Sequence, residues 1–298
     1  MELRHLEYFV AVAEEASFTR AAVRLHVSQP GVSAQIRQLE HELGQPLLDR
    51  SGRTVRLTTV GSAVLPYARA ILQTVEGARH AVQELTGLVR GRVSVGMVVA
   101  CGAVDVPKLL AEYHRRYPAV DIALSEANSN ELIQALKESR LDLALIGVAG
   151  EPPSGIESHV IADEALVAAV GRADPWASRQ SITLETLQSR NLISLPKGTG
   201  LRACLDSACA VAGFRPRITL EASNPQMLAE LASRGLGVAI LPASVGRLRA
   251  RDLRMVTISR PTLRARVEVA WRSGAPLAPA ARALIECARA VLGGAGAR

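Results

Sequence analysis

The chain has 298 residues, with 35 Lys and Arg against 28 Asp and Glu for a net charge of +7, a length that suits about two domains. No window approaches the ~18 uninterrupted apolar residues of a membrane span, residues 1–5 do not open the continuous apolar core of an export signal, and the four cysteines form no Cys-x-x-Cys pair of the kind that holds zinc. The surplus charge is not gathered at the N-terminus, where residues 1–90 hold ten Arg against nine acids, so a nucleic-acid reading has to rest on where individual charges fall.

The first predicted element is an apolar helix carrying Leu3, Leu6, Phe9, Val10, Val12 and Ala13. Ser17, a good cap, then precedes a stripe of Phe18, Ala21, Ala22 and Leu25 at i, i+3, i+4 and i+7. A second cap, Ser28, opens another helix with Pro30 in its first turn, where a missing N–H costs little. Val32, Ile36, Leu39 and Leu43 are its core stripe. The opposite face carries Gln29, Pro30, Ser33, Ala34, Arg37 and Gln38, with no acid in its first turns to repel phosphate. An α-hairpin with a solvated polar face would fit this pattern too, and the flanks weigh against it. Residues 46–58 read as a β-hairpin turning at Ser51-Gly52, flanked by Arg50, Arg53 and Arg56. A helix-turn-helix followed by an arginine-tipped hairpin is a winged helix, and such arginines suit the negative, narrow minor groove.

The run from Met1 to about Thr59 resembles the N-terminal winged helix of LysR-type transcriptional regulators. The matching positions are Phe9, Ala13, Ser17, Phe18, Thr19, Ala21, Ala22, Leu25, Ser28, Gln29, Pro30, Ser33, Ile36, Leu39, Glu40, Leu43, Gly44, Leu47, Arg50, Leu57, Thr58, Gly61 and Leu65. Helix 28–43 is then expected in the major groove of double-stranded promoter DNA. Gln29 reaches an adenine edge, Pro30 and Ala34 touch thymine methyls, and Ser33 bonds to a base. Ser17, Thr19, Ser28, Gln35 and Arg37 hold phosphates, and Arg53 enters the minor groove.

A second signal follows the wing. Val64, Ala68, Ile71, Val75, Ala78, Val82, Leu85 and Val89 alternate in steps of four and three, a heptad seam with Arg69, Gln73, Glu76, Arg79, His80, Gln83 and Glu84 around it. Thr58 or Thr59 starts this helix, and Pro66 sits early enough to be tolerated. Roughly 30 residues at ~1.5 Å each make a rod of about 45 Å. Its apolar stripe is narrow and needs a second copy or the rest of the chain to cover it. The LysR resemblance implies a dimerisation helix here, with two dimers assembling into a tetramer. Pairing would hold two recognition helices about one duplex turn apart, on a palindromic site.

Beyond Arg90-Gly91-Arg92 the pattern alternates between β and α. Strands are expected over 92–98, 120–126, 141–147, 165–170, 191–195, 217–221, 238–241 and 267–271. Helices are expected over 106–116 and 130–139, from Gly200 to Gly213, after Asn224-Pro225, and over 279–292. Such alternation builds parallel sheets covered by helices, and ligands bind them in a crevice at the strands' carboxyl ends. The resemblance implies two subdomains like those of a periplasmic binding protein, with crossings near 163–166 and 264–267 and a small effector in the cleft. The residues expected there are Ala100, Cys101, Gly102, Asn128, Ser129, Thr199, Arg202 and Asn224. Each loop precedes or begins a helix and offers free N–H groups to an anion, while Arg202 and Lys197 add charge. Many family members carry Ser or Thr where this chain has Ala100-Cys101-Gly102. Ser129, Thr199 and Asn224 read equally well as helix caps.

Two other functions are weighed and set aside. Peroxide-sensing relatives place a reactive Cys before a Leu-Arg pair, whereas here Gly200 precedes Leu201-Arg202. Cys204 and Cys209 project about 140° apart on a helix, so the cysteines read as small buried hydrophobes. There is no Gly-x-Ser-x-Gly elbow, His-Glu-x-x-His or phosphate-cradling loop. His5, His26, His41 and His80 fall in the winged helix and rod, and His114 and His159 stand alone, so catalysis is not expected. The predicted organisation is a winged helix-turn-helix over 1–58, a linker and dimerisation helix over 59–89, and an α/β effector-binding domain over 90–298. Within the last, subdomain I spans about 90–162 and 267–298, and subdomain II about 163–266. A cytoplasmic chain without metal or cofactor is expected, with RNA polymerase a further candidate partner.

Overall fold

The computed structural model describes residues 1–52, 54–84, 89–98, 104–148, 150–248, 251–274 and 276–292. They divide into two units, one of Met1–Leu88 with Lys137–Arg140 and Ala275–Pro279, the other of Val89–Leu136, Leu141–Gly274 and Ala280–Arg298.

The first unit contains α1 (Leu3–Glu15), α2 (Phe18–Arg24), α3 (Gln29–Leu43), β1 (Leu48–Asp49), β2 (Arg56–Leu57) and α4 (Thr59–Glu84). The hydroxyls that close the helix starts are local in sequence. Ser17 Oγ accepts the Arg20 N–H at 3.3 Å, Ser28 Oγ that of Gly31 at 3.3 Å, and Thr58 Oγ1 that of Gly61 at 2.9 Å. Between α2 and α3 the chain turns through His26 in the left-handed region, φ 54°. Leu6, Phe9, Val12, Ala21, Ala22, Val32, Ile36, Leu39 and Leu47 are buried together in one core. β1 and β2 pair antiparallel, Leu48 opposite Leu57, and form the wing. One member of the α3 stripe departs from expectation. Leu43 is 41% exposed because it is the last helical residue before the left-handed Gly44 cap.

The heptad seam of α4 divides. Ala68 is buried and Val64 half-buried against the winged-helix core, with Leu65 and Leu72. Farther along, Ile71, Ala78 and Val82 are exposed. The helix expected over 60–89 is described as far as Glu84, and Leu85 of the seam lies outside the described residues.

The second unit runs β3 (Gly91–Met97), α5 (Val106–Arg116), β4 (Val120–Glu126), α6 (Ser129–Lys137), β5 (Leu143–Val148), β6 (Ile156–Gly171), β7 (Ser181–Thr183), a short 3-10 turn (Leu184–Ser189), β8 (Leu192–Ser194), α7 (Gly200–Val211), β9 (Ile218–Glu221), α8 (Pro225–Ser233), β10 (Val238–Pro242), α9 (Ala243–Leu248), β11 (Leu253–Ser259), β12 (Arg264–Arg272) and α10 (Pro279–Leu292). The strand order is β4-β3-β5-β12-β6-β10-β8-β9, with β11 joined to β6 and β7 to β11. β4, β3 and β5 are parallel, as are β10, β8 and β9. β12 and β6 run antiparallel to their neighbours and join the two parallel halves. The expected parallel sheets are present in both halves, and the two antiparallel linking strands are the departure from them. β6 is also far longer than the expected 165–170. It pairs with β12 as far as Ala165, then with β10 and β11 from Leu166 onward, so one strand serves both halves. The short β7, α9 and β11 have no counterpart in the sequence reading. Apolar side chains fill both faces of β5 and β10, as strands covered by helices on both sides require.

Candidate nucleic-acid interface and ligand cleft

The buried stripe of α3 fixes which face is left outside. With Val32, Ile36 and Leu39 in the core, Gln29, Pro30, Ala34, Arg37 and Gln38 are exposed, and Ser33 and Gln35 are half-buried. Ser28 and Thr19 are exposed and Ser17 half-buried at the starts of α3 and α2. The two Ser hydroxyls cap these helices and keep their O–H free to donate to an anion. Arg37 makes no ion pair among the described residues. Arg53 lies outside the described residues.

The nearby acids are held away from that face or neutralised. Glu14 and Glu15 pair with Arg24 at 2.8 and 3.4 Å, and Glu14 also with Arg69 at 3.1 Å. The N-terminal ammonium bonds to Glu42 and lowers its pKa. The Ser51 N–H and hydroxyl bind Asp49 and lower its pKa. Glu40, which sequence reasoning did not assign a role, is the most engaged. Its Oε1 accepts the N–H groups of Leu47 at 2.9 Å and Leu48 at 3.1 Å, and its Oε2 takes Arg50 Nη2 at 2.9 Å. Arg50 lies 4.9 Å above the Phe18 ring and donates to Ser33 Oγ at 3.4 Å. That wing arginine is therefore committed to fixing α3 against β1.

The second unit encloses a cavity of about 240 Å³. Its walls are the first turns of α6, α7 and α8, the carboxyl end of β5, and the linking strands β6 and β12. Asn128, Ser129 and Thr199 line it, as expected, and Lys197 joins them. Asn128, rather than Ser129, caps α6: its Oδ1 accepts the Glu131 N–H at 3.0 Å. Ser129 Oγ accepts the Gly147 N–H at 3.2 Å and ties α6 to β5. Thr199 Oγ1 donates to the Pro196 carbonyl at 2.8 Å.

Two expected residues stand elsewhere. Asn224 is the cap of α8, accepting the Met227 N–H at 2.8 Å, and its neighbours Ser223 and Pro225 line the cavity in its place. Arg202 is only 7% exposed and outside the lining. Its guanidinium is taken up by Asp206 at 3.0 Å, Glu221 at 2.6 Å and the Leu195 carbonyl at 3.2 Å. Ala100, Cys101 and Gly102 lie outside the described residues. Sequence reasoning missed Glu164 and Arg266, which line the cavity from the linking strands. Both fall in the stretches read as crossings, and that position was the available signal. Glu164 accepts the N–H and hydroxyl of Ser244, each at 2.8 Å. Arg266 has Glu268 at 3.9 Å, a loose pairing that leaves the guanidinium available.

The described cysteines are unsuited to ionisation. Burial pushes the Cys204 and Cys287 thiols up and that of Cys209 up to about 11. All three are free thiols. Among the described residues no helix is long and apolar enough to cross a membrane.

Residues 3–62 match the family described as bacterial regulatory helix-turn-helix protein, lysR family, and residues 86–293 match the LysR substrate binding domain. The transcriptional regulator ShiR of Corynebacterium glutamicum (strain R) is 35% identical over 277 residues, covering 92% of this chain and 94% of ShiR. Among solved structures, a full-length OxyR variant from Pseudomonas aeruginosa superposes with a TM-score of 0.79 at 29% identity, covering 97% of this chain and 95% of that one. Full-length CbnR in complex with its target DNA gives 0.64 at 28%, covering 97% and 99%.

Proposed function

The chain belongs to the LysR family of transcriptional regulators, and from that premise we propose that it reads a palindromic promoter site as a paired molecule under the control of a small organic anion. Residues 1–58 serve as the DNA-binding domain, 59–89 as the pairing helix, and 90–298 as the sensor, with its subdomains meeting at the 163–166 and 264–267 crossings. Two dimers assemble into a tetramer in the cytoplasm. Effector binding shifts the subdomains and alters the spacing or bend imposed on the promoter, with RNA polymerase as the downstream partner. No catalytic step is part of this proposal.

The observation that carries the DNA reading is the exposed face of α3, whose first turn holds no acid. Gln29, Pro30, Ser33 and Ala34 contact base edges, Ser17, Thr19, Ser28, Gln35 and Arg37 hold phosphates, and Arg53 reaches the minor groove. For the ligand, the support is electrostatic. Lys197 and Arg266 face the cavity, three helix N-termini open onto it, and both oxygens of Glu164 already accept hydrogen bonds from Ser244. Asn128, Ser129 and Thr199 supply polar contacts. A peroxide-sensing mechanism is not proposed: Gly200 holds the position before Leu201-Arg202, and the described thiols are raised rather than activated.

The test begins with genomic fragments selected by the purified chain. Gln29→Ala should cost about 1–3 kcal/mol on the selected site and much less on scrambled DNA, whereas Arg37→Ala should weaken both alike and shallow the salt dependence. Gel-shift titrations at two salt concentrations separate the two effects. Failure to select any fragment over competitor DNA, with and without a panel of organic acids, would overturn the reading.

A further inference from the structure

Gly200 and Gly147 approach each other across the cleft more closely than any side chain allows. A Cβ placed on Gly200, the first residue of α7, would lie 2.3 Å from the Gly147 carbonyl oxygen, 2.4 Å from its carbonyl carbon and 2.9 Å from its Cα. The obstacle is backbone, and it belongs to a strand that cannot yield cheaply. β5 is paired with β3 on one side and with β12 on the other, Gly147 opposite Val267. α7 belongs to the other half, where Leu205 and Cys209 are anchored in a core with Leu192, Val238 and Ile240. Beside this contact, a Cβ on Gly198 would touch Asn130 and Asn128 at 3.4 and 3.7 Å. Two half-domains with separate cores therefore meet backbone to backbone at the floor of the cavity.

We propose that Gly200 and Gly147 form a seat that defines the closed state of the sensor, and that α7 leaves β5 as a rigid body, without disturbing its own core, when the cleft opens. The proposal rests on the ligand-cleft reading above and adds the stop that limits closure. Any side chain at position 200 acts as a wedge. Moving a methyl from 2.3 Å to ordinary contact, beyond 3.4 Å, needs a displacement of roughly 1 Å, enough to unseat α7 and small enough to leave both halves folded. An alanine at this position favours the helix over glycine, so unseating cannot be traced to a weakened α7. Gly147 is the matched control, because a Cβ there would meet nothing nearer than 3.7 Å.

The Gly147 N–H is a built-in reporter. It is donated to the buried Ser129 hydroxyl beside the seat. In hydrogen exchange of the full chain without ligand or DNA, Gly200→Ala should speed exchange of the Gly147 amide at least tenfold. Leu145 and Ile193, inside the two halves, should remain as in the wild type, and the crystal structure of the variant should show α7 displaced from β5. Gly147→Ala should change the Leu145 and Ile193 amides by less than twofold and leave α7 in place. Unaltered exchange at Gly147 in Gly200→Ala, or a crystal structure with α7 still seated, overturns the proposal. Should Gly200→Ala not fold, the wild-type chain decides in urea below its unfolding midpoint. A seat that opens as a unit frees Gly147 before Leu145 and Ile193, and loss of all three together overturns it. None of these measurements involves a promoter or an effector, so a failure of the seat and a failure of the regulatory reading are told apart.

Discussion

Arg202 and Arg266 show how one residue type takes two roles according to its surroundings. Arg202 is buried and saturated by Asp206, Glu221 and the Leu195 carbonyl, so it holds α7 to the end of β8 and to β9. Arg266 faces the cavity with only Glu268 nearby at 3.9 Å. Arg202→Ala should lower stability by about 1–3 kcal/mol, because the Leu195 carbonyl and two carboxylates lose their donor. Arg266→Ala should stay within about 0.5 kcal/mol of the wild type. With an organic acid that raises the wild-type Tm in a thermal-shift screen, Arg266→Ala should lose that increment and Arg202→Ala should keep it. The opposite pattern would return Arg202 to the site. Position in sequence favoured Arg202 because it stands two residues into a helix whose first turn faces the cleft. Its partner Glu221 lies nineteen residues away, on another strand, beyond the reach of any local pattern.

Between elements, the decisive device in the DNA-binding unit is the Glu40 carboxylate, which grips the start of β1 from the last turn of α3. Glu40→Ala leaves the Leu47 and Leu48 N–H groups without their acceptor beside a buried pair of leucines, at a cost of about 1–3 kcal/mol. Glu40→Gln keeps one oxygen for them and should lose less. Denaturant unfolding gives the order, wild type above Gln above Ala, and promoter affinity should fall in the same order as the wing loosens from the recognition helix. Equal stability of Ala and wild type would show that the contact is dispensable. Elements of this unit were legible because their determinants are local: the Ser17 and Ser28 caps, the Val32–Ile36–Leu39 spacing and the Ser51-Gly52 turn all act within a few residues. The sensor was legible in its alternation and in most of its helices. The long β6 was not, since its two halves are held by different partners, β12 and then β10 with β11, far along the chain. The same non-locality hid Glu164 and Arg266 as cavity residues, although the crossings that carry them were placed at 163–166 and 264–267. The loops with Asn128, Ser129 and Thr199 were found because helix starts have a sequence signature.

For the whole molecule, the open matter is what covers the free part of α4. The core of the winged helix takes up Val64, Leu65, Ala68 and Leu72. Val82 remains 67% exposed and Ile71 37%, on the same heptad seam. Exposed apolar side chains at this spacing are stabilised when a second helix buries them, each by roughly 1.5–3 kcal/mol if burial is complete. Glutamate at both positions places like charges along the seam and should give a folded monomer, since neither residue belongs to the winged-helix core. Light scattering with size exclusion reads the mass, and circular dichroism checks the helix content. Under the proposed pairing, a palindromic site would couple two weak half-site contacts through α4. The Ile71→Glu/Val82→Glu monomer should therefore bind a palindrome no more tightly than a single half-site, while the wild type prefers the palindrome by at least tenfold. If the double variant stays paired, the seam is not the dimer contact, and the spacing of the two recognition helices must be set by another surface of the chain.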